Sequence, residues 1–312
     1  MTTPVTTVVT GVITDVSEHT IAVHGEAGDQ ALSLMPATVT WLGARVSPSA
    51  LRAGDQVIIR RRPRRAGAGG QAPAVAERVW AKIGRVTGTI LAAEGLRERE
   101  FLVDTGRHGL PTERVIVAGP SLRHIQVRFP RLAPGYLLDV IGTRHQGYLL
   151  AVAPATAQPP YRAGHTPAPV LASRHLADPV SGTAVWHEPG DEMPGLLGLA
   201  YPALEPEAGC LTTDPAGAAS RPASVQGQGC VRLPYLSLGA EVRVRNECTD
   251  RAAVLPVTSG GAIARQFCDR CLECDTSPKG RVADLTMAAF VELGGNLENG
   301  CFNATLALAF AS

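Results

Sequence analysis

Lysine is nearly absent from this 312-residue chain: of its 29 basic residues only Lys82 and Lys279 are lysines, and the rest are arginines. Beside 33 Gly, 24 Pro and abundant Ala, this suits translation from a GC-rich bacterial genome. Basic residues barely outnumber the 28 acidic ones. The resulting formal charge of +1 argues against a dedicated nucleic-acid binder, which needs a basic face to neutralise several phosphates. The run from Arg60 to Arg65 is a local exception. No stretch approaches the roughly 18 to 20 apolar residues that span a bilayer, so no membrane span is expected. Met1 to Val16 has no basic segment followed by an apolar one, so no secretory signal is visible there. Long helical stripes are also missing, and the many Gly and Pro residues disfavour long helices, which predicts a mainly β chain rich in turns.

Cysteine is missing from the first two thirds. All seven (Cys210, Cys230, Cys248, Cys268, Cys271, Cys274 and Cys301) fall in the last third. Such confinement points to a disulfide framework within one exported module, with one cysteine left over. The spacing of Cys268, Cys271 and Cys274 would also let three thiolates converge on zinc or an iron–sulfur cluster. Histidine stops at His187, so a fourth ligand would have to be another cysteine.

The N-terminal half reads as two copies of one unit. Thr10-Gly11-Val12-Ile13 leads to Thr20-Ile21-Ala22-Val23, and Thr87-Gly88-Thr89-Ile90 leads to Phe101-Leu102-Val103. Further along, Leu51-Arg52-Ala53-Gly54-Asp55 matches Leu132-Ala133-Pro134-Gly135-Tyr136. Period-2 alternation between regularly spaced turns predicts two small antiparallel barrels or sandwiches, at 1–82 and 83–154. Each looks like the oligonucleotide/oligosaccharide-fold modules of bacterial envelope proteins. A Pro/Ala/Gly-rich segment at 155–194 reads as a linker. The Arg/Gly loop from Arg62 to Ala74 reads as a hairpin tip.

A third unit is expected over 195–312. Its signals run in the order Gly198-Leu199-Ala200-Tyr201, Ala208-Gly209-Cys210, Leu238-Gly239 through Val242, Val244 and Asn246, then Cys268-Asp269-Arg270-Cys271 with Cys274. Val282-Ala283-Asp284-Leu285-Thr286 and Leu293-Gly294 follow. This order resembles the double-psi β-barrel superfamily of expansins, rare lipoprotein A and barwin-like proteins. A short helix is expected over Leu285 to Leu293, with Asp284 as its cap and Met287, Ala288, Phe290 and Val291 on its buried side.

The resemblance implies a cell-wall or secreted protein that binds polysaccharide or peptidoglycan, with the cysteines as disulfide partners and no cofactor or metal. It places Asp269 on the signature aspartate, as the catalytic candidate for protonating a glycosidic oxygen. Tyr201, Tyr235, Asp250 and Arg270 are the binding candidates, the tyrosines as stacking platforms. Asp284 and Gly239 are read as structural. The histidine that transglycosylase-like members place before the Gly239 strand is missing from Arg232-Leu233-Pro234-Tyr235. Binding without cleavage is therefore expected; the alternatives are a surface-fibre subunit assembling with copies of itself, a protease inhibitor, or a lytic enzyme using Asp269. Asn303-Ala304-Thr305 matches a glycosylation sequon.

Overall fold

A computed structural model describes residues 7–62, 74–95, 98–106, 112–158, 162–163, 179–188, 195–202, 233, 236–260 and 280–308. The chain is mainly β, as expected, and its strands close three small barrels.

The first barrel holds β1 (Val8–Val16), β2 (Thr20–Gly25), β3 (Gly28–Ser33), β4 (Val39–Trp41), β5 (Arg45–Val46), β6 (Gln56–Arg62) and β7 (Val75–Ala81). The strand order is β3-β2-β1-β6-β7-β4-β5, and a parallel contact of β3 with β7 at Ser33 and Val75 closes β3-β2-β1-β6-β7 into a ring, with β4 and β5 continuing from β7. Alternation sends Val9, Ile13, Ile21, Val23, Ile59 and Val79 inward as one apolar core.

The second barrel holds β8 (Ile83–Glu94), β9 (Arg99–Asp104), β10 (Glu113–Val117), α1 (Gly119–Arg128), β11 (Leu137–His145) and β12 (Tyr148–Pro154). The ring runs β10-β12-β11-β8-β9, with β10 and β12 parallel. Its core of Ile90, Phe101, Val103, Val115, Val140 and Leu149 is plugged by Ile125 and Phe129. Helix α1 was not legible in the sequence. It starts at Gly119 with Pro120 in its first turn and no side-chain cap, and it buries only Ile125, so it carries no apolar stripe.

Register makes the duplication concrete. Gly54 N–H donates to Ile13 O at 2.8 Å and Gly135 N–H donates to Ile90 O at 2.8 Å. Ile13 N–H in turn reaches Asp55 O, and Ile90 N–H reaches Tyr136 O, each at 2.9 Å. Thr10 lies opposite Ile58 as Thr87 lies opposite Asp139. A Cβ on Gly11 would collide with the carbonyl of His24, and one on Gly88 with the carbonyl of Asp104. The same close strand crossing thus requires the glycine of both Thr-Gly pairs.

The third barrel holds β13 (Val180–His187), β14 (Leu199–Tyr201), β15 (Glu241–Asn246), β16 (Ala252–Gly260), β17 (Arg281–Thr286), α2 (Met287–Glu292) and β18 (Cys301–Leu308). It closes in the order β13-β17-β14-β16-β15-β18. Two pairs, β13 with β17 and β14 with β16, are parallel within an otherwise antiparallel ring. The segment read as a linker therefore contributes a strand: β13 pairs with both β17 and β18 and buries Ala184, Val185 and Trp186. Pro- and Gly-rich flanks hid it. The helix begins at Met287 and not at Leu285; its cap is Thr286, whose Oγ1 accepts from Ala289 N–H at 3.3 Å, while Asp284 stays in β17. Met287, Ala288, Phe290 and Val291 are buried as expected.

A short turn, Leu297–Asn299, touches both other barrels. Trp186 Nε1 donates to Leu297 O at 3.0 Å; Trp80 Nε1 and Arg78 Nη1 donate to Glu298 Oε1 at 3.1 and 2.8 Å. Gly300 follows with φ 75° and faces Ala155 so closely that a Cβ would overlap its backbone. Val8, Ile58 and Trp80 of the first barrel and Ile141 and Ala155 of the second share a continuous core with the third.

Candidate functional site

Strand β11 carries one charge, Asp139, within the buried run from Leu137 to Thr143, and that charge needs partners. Arg85 of β8 supplies a bidentate pair, Nε to Oδ1 at 2.8 Å and Nη2 to Oδ2 at 2.7 Å. Arg281 of β17 adds Nη2 to Oδ2 at 2.9 Å from across the barrel junction. Thr87 and Thr156 hydroxyls donate to the remaining lone pairs at 2.8 and 2.7 Å. Arg85 also donates Nη1 to Trp186 O and Gly300 O, with its guanidinium 5.5 Å from the Trp186 ring centroid. Burial opposes ionisation of Asp139, but the charges of Arg85 and Arg281, with hydrogen bonds from Arg85 and Thr156, outweigh it and hold the carboxyl well below its ordinary range.

The parallel pairing of β13 with β17 next places His187 beside Asp284. His187 Nδ1 lies 3.1 Å from Asp284 Oδ1, and the side chains are only 10% and 15% exposed. Burial raises the Asp284 carboxyl, yet the charge and hydrogen bond of His187, with the charges of Arg85 and Arg281, bring it below its usual value. A carboxylate in this position fixes the imidazole's orientation and steadies its protonated form. Glu188 completes the end of β13, accepting from Arg85 N–H at 2.6 Å and pairing with Arg144.

Sequence reasoning singled out neither Arg85, Asp139 nor Arg281, and it took His187 for a solvent-facing or locally bonded linker histidine. A solitary aspartate inside Leu137-Leu138-Asp139-Val140-Ile141 was the available signal for the first cluster. His187 and Asp284 are 97 residues apart and meet only through strand pairing.

Of the expected site residues, Tyr201 is corrected: it is 1% exposed within the core, its phenol pushed upward by burial, and its ring offers no platform to a sugar. Asp284 is corrected from helix cap to partner of His187. Asp250 is exposed at φ 64° in the β15–β16 turn and pairs with Arg245. Gly239 occupies the turn before β15 at φ 78°. Cys248 N–H is bonded to Asn246 Oδ1, and Cys301 is buried at the head of β18. Asn303 of the sequon is buried in the same strand. Asp269, Arg270, Tyr235, Cys210, Cys230, Cys268, Cys271 and Cys274 lie outside the described residues. Among the described residues no helix is long and apolar enough to cross a membrane. Comparison with protein-family models and with curated proteins finds no match.

Proposed function

We propose that this is a secreted or cell-surface protein that holds cell-wall or extracellular polysaccharide without cleaving it. In this reading the third unit is an expansin-like double-psi barrel stapled by disulfides among Cys210 to Cys301. Two features support the architecture: two parallel pairs inside a closed, otherwise antiparallel six-stranded ring, and two preceding small barrels akin to oligosaccharide-binding folds.

Among the described residues, the observation that speaks against cleavage is the enclosure of Asp284 beside His187; the candidate acid Asp269 lies outside them. Glycoside cleavage needs a carboxyl raised in pKa so that it can donate a proton to the leaving oxygen. Asp284 is shifted the opposite way and is mostly enclosed. The experiment is co-sedimentation with insoluble peptidoglycan and β-1,4-glucan, followed by mass spectrometry of the supernatant. Retention without new soluble fragments is expected. Failure to sediment with either polymer refutes binding.

One observation favours a lytic alternative. The histidine that the sequence seemed to deny the barrel is supplied by β13, so a His–Asp pair exists after all. Soluble anhydro-sugars that disappear in His187→Ala would establish cleavage.

A further inference from the structure

The two N-terminal barrels share one plan, β1, β2, β3, β6 and β7 answering in order to β8, β9, β10, β11 and β12. They differ in what fills the interval before the fourth of these strands. In the second barrel it is helix α1, which lies against β12 and sets Ile125 and Phe129 into the core beside Leu132. In the first barrel the interval forms the β4–β5 hairpin, which pairs with β7. The equivalent end of that barrel is left open as a cleft of about 950 Å³, between the β1–β2 turn and residues 34–38 and 47–53.

The cleft is apolar within. Leu34 and Leu51 are buried in its wall, Val16 is half-buried, and Met35 is 43% exposed. An exposed methionine beside such a wall offers an adaptable surface for apolar side chains. The rim is acidic. A register shift after Ile13 precedes Asp15, which lines the cleft with Glu18. The same shift follows Ile90 in the second barrel, where the residue matching Asp15 is Ala92. Neither the Asp15 nor the Glu18 carboxylate has a partner among the described residues. Arg52, also at the rim, directs its guanidinium to Ser49 O and Leu51 O at 2.7 and 2.9 Å.

An apolar wall under two unpaired carboxylates suits a segment that carries apolar side chains and positive charge together. Helix α1 shows how such a segment sits on this kind of barrel. Ile125 and Phe129, four residues apart, face the core, while Arg123 and His124 are exposed and no acidic residue occurs in the helix. We propose that the cleft of the first barrel is a docking site for a short, basic amphipathic helix of a partner protein, seated as α1 is seated on the second. Helix α1 of another copy is not the occupant, because its apolar side is already buried in its own barrel. This partner goes beyond the polysaccharide reading and does not depend on it.

Fluorescence anisotropy of a labelled, end-capped peptide with the sequence of residues 118–130, titrated with the full chain at low ionic strength, tests this. Saturable binding with a gain of helical circular dichroism is expected, since so short a helix is marginal alone in water. A Phe129→Asp peptide should not bind. In the chain, Met35→Arg sets a bulky like charge on the cleft wall and should abolish binding while the chain's own circular dichroism stays unchanged. The pair Asp15→Asn and Glu18→Gln removes charge alone; it should weaken binding about fivefold at low salt and little at high salt. No saturable binding, undiminished binding of the Phe129→Asp peptide, or wild-type binding by either altered chain overturns the proposal. Saturable binding of cellohexaose that Met35→Arg abolishes would assign the cleft to a glycan and overturn it as well.

Discussion

Replacing Asp139 by Asn removes a single negative charge from a place where two positive ones converge. Arg85 and Arg281 are 2% and 1% exposed, so neither can turn to water when its partner is neutralised. Breaking a buried ion pair by altering one member costs about 3 to 5 kcal/mol, because an uncompensated charge stays behind. Asp139→Asn should therefore lose about that much stability in urea unfolding at pH 7, followed by the fluorescence of buried Trp80 and Trp186. The pH course follows from the direction of the shift. The folded carboxyl lies below its unfolded value, so its contribution is complete above the unfolded pKa of about 3.9 and is lost as pH falls through the folded value. The gap between wild type and variant should hold from neutral pH to about pH 5 and close only in stronger acid. Asp250→Asn, at an exposed pair with Arg245, serves as control and should change stability by less than about 1 kcal/mol. The triple change Arg85→Val, Asp139→Ile, Arg281→Met copies the apolar Val8 and Ile58 of the first barrel, and should be less damaging than the single change. A loss under about 1 kcal/mol for Asp139→Asn would refute the view that this carboxylate is the counter-charge of both arginines.

Gly11→Ala and Gly88→Ala should each destabilise by about 2 kcal/mol or more, since strand backbone must move to admit the methyl group; calorimetric melting temperatures check this, and a near-neutral result in either would contradict the equivalence of the two crossings. Thr286→Ala should cost about 1 kcal/mol by leaving Ala289 N–H without its cap, measured by urea unfolding. Thiol counting after denaturation should find at least two disulfides among Cys210 to Cys301, and seven free thiols would remove the stapled-barrel reading.

The duplication was legible because its demands are local. Thr-Gly at a strand crossing and Leu-x-x-Gly at a turn recur in order, and each is dictated by backbone geometry that sequence records directly. The apolar run of α2 was equally plain, although its cap was misplaced by two residues. What escaped depends on distant pairing. Strand β13 lies among prolines and glycines and gains its meaning only from β17 and β18. Tyr201 reads identically whether its ring faces solvent or core, and only the closed barrel shows it inside. Arg85, Asp139 and Arg281 come from three separate strands, and no spacing in the chain brings them together.

Twin barrels raise the problem of exchange: two folds built alike could each settle where the other belongs. The contact surfaces prevent it. Val8 and Ile58 give the first barrel a greasy foot, while the matching places in the second carry Arg85 and Asp139. Set down beside α2, which lies against β1 and β6, the second barrel would lose Arg281 and bury an incompletely matched charge. Divergence at two positions thus acts as lock and key between copies, giving each twin a single berth.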